Sequence, residues 1–338
     1  MKNAAINEIL TEKGFLLADG ATGTNLFMRG LETGSPPELW NVERPDDIQG
    51  LHALFFDSGS DLVLTNSFGG NALRLKLHDA QDRVTELNLA AARLARKVAA
   101  TATDRQRRPL LVAGSMGPTG ELFEPMGALT HTSTRDIFAA QANALAEGGV
   151  DMLWIETMSS TEEIASALEA AKTTGLPVAA TMTFDTAARS MMGVLPQDFA
   201  VFGAANKADF LGANCGIGPA ELLHSISGMA QAHIDTPLIA KGNCGIPSYV
   251  DGAIHYHGTP ALMADYALFA RDMGVRIIGG CCGTSPDHVA AMSQALAQTP
   301  VRPFDEAAMQ QALGQPWANI PENPGAEGRR KSRRSRRK

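Results

Sequence analysis

Cysteine is scarce in this chain. Four are spread over 338 residues, and their scattered spacing excludes the dense disulfide framework of a small secreted domain. No apolar run reaches the roughly 18 residues of a membrane span. The N-terminal "MKNAAINEILTEKG" lacks the basic start, apolar stretch and small-residue cleavage site of a secretion signal. Aromatic residues are few, with three tryptophans and three tyrosines, and nothing resembles a stacking platform for nucleic-acid bases. These absences point to a protein of a reducing cytoplasm with free thiols. A chain this long buries its core without staples.

Charge is unevenly placed. The last ten residues, "RRKSRRSRRK", hold eight Lys or Arg, and removing them takes the net charge from −7 to −15. "PENPGAEG" precedes them and reads as a Pro- and Gly-rich linker. We therefore expect a body over residues 1–300, an extension over 301–324 and a disordered basic tail over 325–338. The acidic body has no second basic patch, so the tail reads as a solvated terminus rather than a nucleic-acid arm.

Eight short apolar runs recur: 15–18, 61–65, 109–113, 150–155, 177–182, 209–213, 237–240 and 276–280. They lack polar alternation, as strands buried on both faces do. Helix-period segments such as "VTELNLAAARLARKVAAT" and "STEEIASALEAAKTTG" lie between them. Eight strands alternating with helices imply an α/β protein of the (β/α)8 TIM-barrel class. A doubly wound open sheet is the competitor. However, "DGATGTN" after the first strand is not the glycine-rich dinucleotide turn.

A barrel builds its site on the loops that follow its strands. Asp19 and Gly20 follow strand one, Thr65 closes strand two, and Glu156 ends strand four. Cys215 follows strand six, Lys241 and Cys244 follow strand seven, and the adjacent Cys281 and Cys282 follow strand eight. All four cysteines thus fall on one rim. Converging thiolates in a reducing compartment suit a soft metal, Zn²⁺ above all. The C-x₂-C spacing of a zinc finger is missing. Three thiolates would leave a coordination place for substrate, and Cys244 either fills it or stands by. Asp19 and Glu156, as carboxylates in a barrel mouth, call for something cationic, either an amino group or a second metal. Lys241 invites comparison with a Schiff-base lysine, although a charged rim residue is the plainer reading. A zinc protein whose tail binds nucleic acid is the rival from outside enzymology.

The stretches "LLADGATGTNL", "GSDLVLTNSFGGN", "LWIET", "GANCGIG" and "IIGGCCGTSPDHVAAM" resemble the homocysteine S-methyltransferase family, across roughly residues 12 to 297. The family includes betaine-dependent and S-methylmethionine-dependent enzymes and the homocysteine-binding module of cobalamin-dependent methionine synthase. The resemblance implies zinc held by Cys215, Cys281 and Cys282, with no catalytic residue beyond that site. It also implies that Asp19 and Glu156 hold the amino group of homocysteine, while Gly20 and Thr65 face its carboxylate. The expected partners are homocysteine and a small methyl donor, betaine first and a sulfonium second, with no membrane and a possible homo-oligomer. Mammalian betaine enzymes carry tyrosines where Thr157 and Gly69 stand here. An aromatic cage for a quaternary ammonium is therefore unmatched at those places. Trp40, Phe68 and Phe123 are the aromatic candidates near the rim.

Overall fold

The structure is a computed structural model. It describes residues 4–317 apart from 246, 251 and 252, with backbone only for 247–250 and 253–255. The basic tail and the end of the extension lie outside the described residues.

Eight parallel strands form the sheet: β1 (Leu16–Leu17), β2 (Leu62–Leu64), β3 (Leu111–Met116), β4 (Met152–Met158), β5 (Val178–Met182), β6 (Phe210–Cys215), β7 (Leu238–Gly242) and, after a two-stranded hairpin of β8 (Pro247–Val250) and β9 (Ala253–Tyr256), β10 (Ile277–Gly280). The order runs β1-β10-β7-β6-β5-β4-β3-β2. A parallel bridge between Ala18 and Leu62 closes the circle. All eight expected runs are strands of a (β/α)8 barrel. The antiparallel hairpin between β7 and β10 is additional to the eight expected strands.

Strand periodicity sorts the side chains into two layers. Leu16, Leu62, Leu64, Leu111, Ala113, Met152, Trp154, Ala179, Phe210, Ile239 and Ile277 pack together inside the barrel. Their neighbours Leu17, Val63, Val112, Leu153, Ile155, Ala180, Leu211, Ala240 and Ile278 pack outward against the helices. The N-terminal helix Ala4–Glu12 presents Ile6, Ile9 and Leu10 to the interior cluster. That spacing makes one helical face, and it caps the end where the strands begin.

Aspartates at the strand starts fix register. Asp61 accepts from Leu17 N at 2.9 Å, Asp151 from Val112 N at 2.8 Å and Asp209 from Val178 N at 2.9 Å. Each carboxylate satisfies an amide of the preceding strand that the ladder leaves over. No described helix is long and apolar enough to cross a membrane.

Candidate active site

The same alternation carries past the apolar layers. Two residues beyond Ala113, Trp154, Ala179 and Ile239 stand Ser115, Glu156, Thr181 and Lys241, and all four are buried. A polar layer therefore lies on the apolar barrel filling, at the end where the strands finish.

Beside it, the Sγ atoms of Cys215, Cys281 and Cys282 lie within 4.8 Å of one another. Local backbone explains how. Strand β10 stops at Gly280, so Cys281 and Cys282 occupy a turn rather than a strand and need not point to opposite faces. Thr284 N donates to Cys281 O at 3.1 Å, Cys281 N to Gly242 O at 2.6 Å, and Cys244 N to Cys282 O at 2.9 Å. The turn is too tight for side chains: a Cβ at Gly280 would lie 2.2 Å from Thr284 Cγ2. Gly283 has φ +80°, and a Cβ there would lie 2.3 Å from the Tyr256 ring. Glycine alone tolerates both conditions.

Cys215 reaches the cluster through a strained backbone, with φ +62° at a non-glycine residue. Thr157, at the end of β4, is also left-handed at +60°. Asn214 holds the two ends together, accepting from Thr157 N at 2.8 Å and donating to Thr157 Oγ1 at 2.7 Å. Such conformations cost about 1–3 kcal/mol and persist where the surroundings over-determine them.

Cys215 Sγ and Cys282 Sγ are 3.9 Å apart. The contacts among the three thiols drive Cys215 above the usual thiol range. Hydrogen bonds from Cys215 and Cys281 pull Cys282 far below it, with Tyr256 and the Lys241 charge assisting. The cluster thus favours a single thiolate, at Cys282, with Cys215 and Cys281 both pushed up as its hydrogen-bonding thiols. Three soft, converging sulfurs fit a thiophilic metal ion, which would hold all three as thiolates. Cys244 is elsewhere: its buried Sγ donates to Gly258 O at 3.2 Å, and burial pushes the thiol up to about 11.

Lys241 is buried, not on the rim. Its Nζ donates to Gly280 O at 2.5 Å and Gly20 O at 3.1 Å, and it stands 3.3 Å from Asp19 Oδ1. Burial lowers its pKa, but Asp19, Cys281 and Glu156 together outweigh that and raise it. A charged ammonium with three partners is a poor Schiff-base nucleophile. Asp19 accepts from Leu64 N at 2.8 Å through Oδ2. Its Oδ1 meets Lys241 at ion-pair distance but off hydrogen-bond geometry and has no other partner. Glu156 takes a short hydrogen bond from Ser115 Oγ. Burial pushes its carboxyl up to about 7, against the pull of Lys241.

A cavity of about 610 Å³ opens over these groups. Gly20, Thr65, Glu156 and the three clustered cysteines line it, whereas Asp19 and Cys244 do not. Asp19 lies directly beneath, against Lys241. Thr65 Oγ1 shares a hydrogen bond with Ser67 Oγ at 2.6 Å and accepts from Ser115 N at 3.0 Å. Of the expected rim aromatics, only Phe68 lines the cavity. Trp40 is buried and stacks on Arg44 at 3.9 Å. Sequence reading missed Phe27, Glu38, Arg74, Ser115 and Tyr256, which also line it. For Ser115 the signal was present, two residues beyond a core alanine in an apolar run. Tyr256 had no such signal, since it arrives on the unforeseen hairpin.

The comparisons with known proteins agree with this geometry. The family model described as homocysteine S-methyltransferase matches residues 16–296. A methionine synthase of Mycobacterium leprae is 30% identical over 306 residues, spanning 84% of this chain and 24% of that protein. One of Mycobacterium tuberculosis is 29% identical over 337 residues, spanning 93% and 27%. The chain thus spans about a quarter of the length of these relatives. Among solved structures, the oxidized form of the homocysteine methyltransferase MmuM from Escherichia coli is 25% identical, with a TM-score of 0.72 over 86% of this chain and 99% of that one. Its metallated form, 24% identical with a TM-score of 0.70 over the same shares, has the same fold. With a family model covering five-sixths of its length, the chain belongs to the homocysteine S-methyltransferase family.

Proposed function

We propose that the protein methylates homocysteine to methionine at a zinc ion held by Cys215, Cys281 and Cys282, using a small cationic methyl donor, betaine first. One observation carries this: three thiols, and not the fourth, converge at the floor of a cavity whose next polar groups are Glu156, Thr65 and Gly20. Zinc in a three-thiolate site supplies an open position where an incoming thiol, otherwise protonated below its pKa of about 8.5, is held as thiolate.

The chain's own residues orient the acceptor. Glu156 faces its ammonium, and Asp19, buried beneath the cavity against Lys241, adds the second carboxylate charge behind it. Thr65 and the Gly20 backbone face the acceptor carboxylate. Lys241 stays protonated and offsets the negative charge gathered by three cysteines, Asp19 and Glu156. The acceptor sulfur forms a bond to the donor methyl carbon as the methyl–onium bond breaks. The bonding pair leaves with a tertiary amine or a sulfide, so no general acid is required. The thiol proton has by then been released to solvent.

A sulfonium donor is the second reading. It is favoured by Gly69 and Thr157, which offer no aromatic face, and by the better leaving ability of a sulfide. The test is methionine formation from homocysteine with betaine, S-methylmethionine, dimethylsulfoniopropionate or methyl-folate supplied singly. Turnover with betaine or a sulfonium supports the proposal. Turnover with methyl-folate alone refutes the cationic-donor part.

A further inference from the structure

Besides the groups assigned to homocysteine, the cavity lining includes Phe27, Phe68, Glu38 and Arg74. Arg74 is the only arginine that lines the cavity. It sits in the short helix Ala72–Lys76, which Asn71 caps by accepting from Arg74 N at 3.0 Å. Asn71 also reaches toward Gly117 O and Pro118 O, each at 3.4 Å. The residue is thus anchored at its backbone to the loop after β3. Its side chain lies along Gly120, where a Cβ would stand 3.3 Å from the guanidinium Nη1 and 3.6 Å from Cδ. Several buried or partly buried arginines here are ion-paired: Arg96 with Asp151 at 2.6 Å, Arg108 with Asp61 at 2.5 Å and Arg271 with Asp272 at 2.7 Å, while Arg276 donates to Leu10 O at 3.0 Å. The Arg74 guanidinium has neither ion pair nor hydrogen bond among the described residues. Glu38, the acid on the same wall, accepts from Gly69 N through Oε1 at 2.6 Å.

We infer that Arg74 is a specificity-determining residue that receives a carboxylate on the methyl donor, so that the donor class is a carboxylate-bearing onium rather than any small cation. The inference rests on the methyltransferase reading above. A half-buried guanidinium that makes no hydrogen bond among the described residues, and whose nearby acid Glu38 feels its charge but is engaged by Gly69 N, is a planar fork suited to one carboxylate. Betaine and dimethylsulfoniopropionate each carry an onium head and a carboxylate a few bonds away. Phe27, Phe68 and the Glu38 charge offer the onium a favourable wall. The carboxylate at Arg74 then keeps the donor's methyl end toward the cysteine floor.

The test is calorimetric binding of betaine and of choline, which replaces the carboxylate with a hydroxyl, to zinc-loaded protein with homocysteine present. Arg74→Gln is expected to weaken betaine about tenfold or more, the scale of one charge-assisted contact, and to leave choline and homocysteine binding unchanged. Arg74→Lys should restore part of the betaine affinity. Equal losses for betaine and choline, no loss for either, or a loss for homocysteine instead would each overturn the inference. So would failure of the unaltered protein to prefer betaine over choline. If betaine binds as expected but no donor yields methionine, the transferase reading fails while the Arg74 assignment stands.

Discussion

Lys241 Nζ lies 3.3 Å from Asp19 Oδ1 beneath the cysteine cluster, with both side chains almost wholly buried. The same ammonium bonds the carbonyls of Gly20 and Gly280, so one cation ties the loop after β1 to the loop after β10. Lys241→Met would leave Asp19 as an uncompensated buried charge. We expect a loss of about 3–5 kcal/mol in chemical denaturation, the usual scale for breaking one side of a buried pair. Lys241→Met combined with Asp19→Asn should recover much of it. A double variant no more stable than the single one would show that the ion pair is not what holds these loops.

Metal content separates the cysteines. Cys282→Ala should lose most of its zinc, since it removes the most anionic thiol of the cluster. Cys244→Ala should keep the full complement, because its thiol is turned to Gly258 O. Elemental analysis after gel filtration decides the matter, and zinc retained in the first or lost in the second would reverse the assignment.

Glu156→Gln keeps shape and removes charge. Homocysteine affinity should fall about ten- to a hundredfold, the worth of a charge-assisted hydrogen bond, while zinc content stays unchanged. Zinc lost with homocysteine affinity unaltered would make Glu156 a metal ligand instead.

How far was this legible from sequence? The barrel was, because strands buried on both faces leave uninterrupted apolar runs and each run carries its own strand end. The cysteine set was legible for the same reason: once the strand ends are known, the rim follows. What the sequence did not disclose was depth. Lys241 lies within β7 and lines the cavity while almost wholly buried, and Asp19 lies behind it outside the lining, because one residue of register decides between rim and interior. The hairpin carrying Tyr256 was missed because its strands, PSYV and AIHY, mix polar and apolar residues and form no apolar run. Cys244 could not be separated from the other three by position alone. What separates it is its contact with Gly258, whose N donates to Cys244 O at 3.1 Å and whose O accepts from Cys244 Sγ at 3.2 Å.

Acid should destabilise the fold through His52. This histidine in the helix Pro45–Asp57 is buried, and neither ring nitrogen has a hydrogen-bond partner among the described residues. Burial lowers its pKa from 6.5 to about 4. The unfolded chain therefore binds a proton that the folded one refuses. Stability from this group is intact above pH about 6.5 and falls as pH drops toward 4, by roughly 3 kcal/mol at the end of that window. His52→Leu should flatten the decline between pH 6.5 and 4 in denaturant titrations. An unchanged slope would mean that the ring is paired or hydrated in solution.

The central claim is that the three clustered thiolates hold zinc with one place open for the sulfur of homocysteine. Zinc K-edge X-ray absorption reads this directly. The account predicts three sulfur scatterers at about 2.3 Å with one lighter neighbour, rising to four sulfurs when homocysteine is added. A sulfur count that is four before homocysteine, or that stays at three after it, would contradict the account.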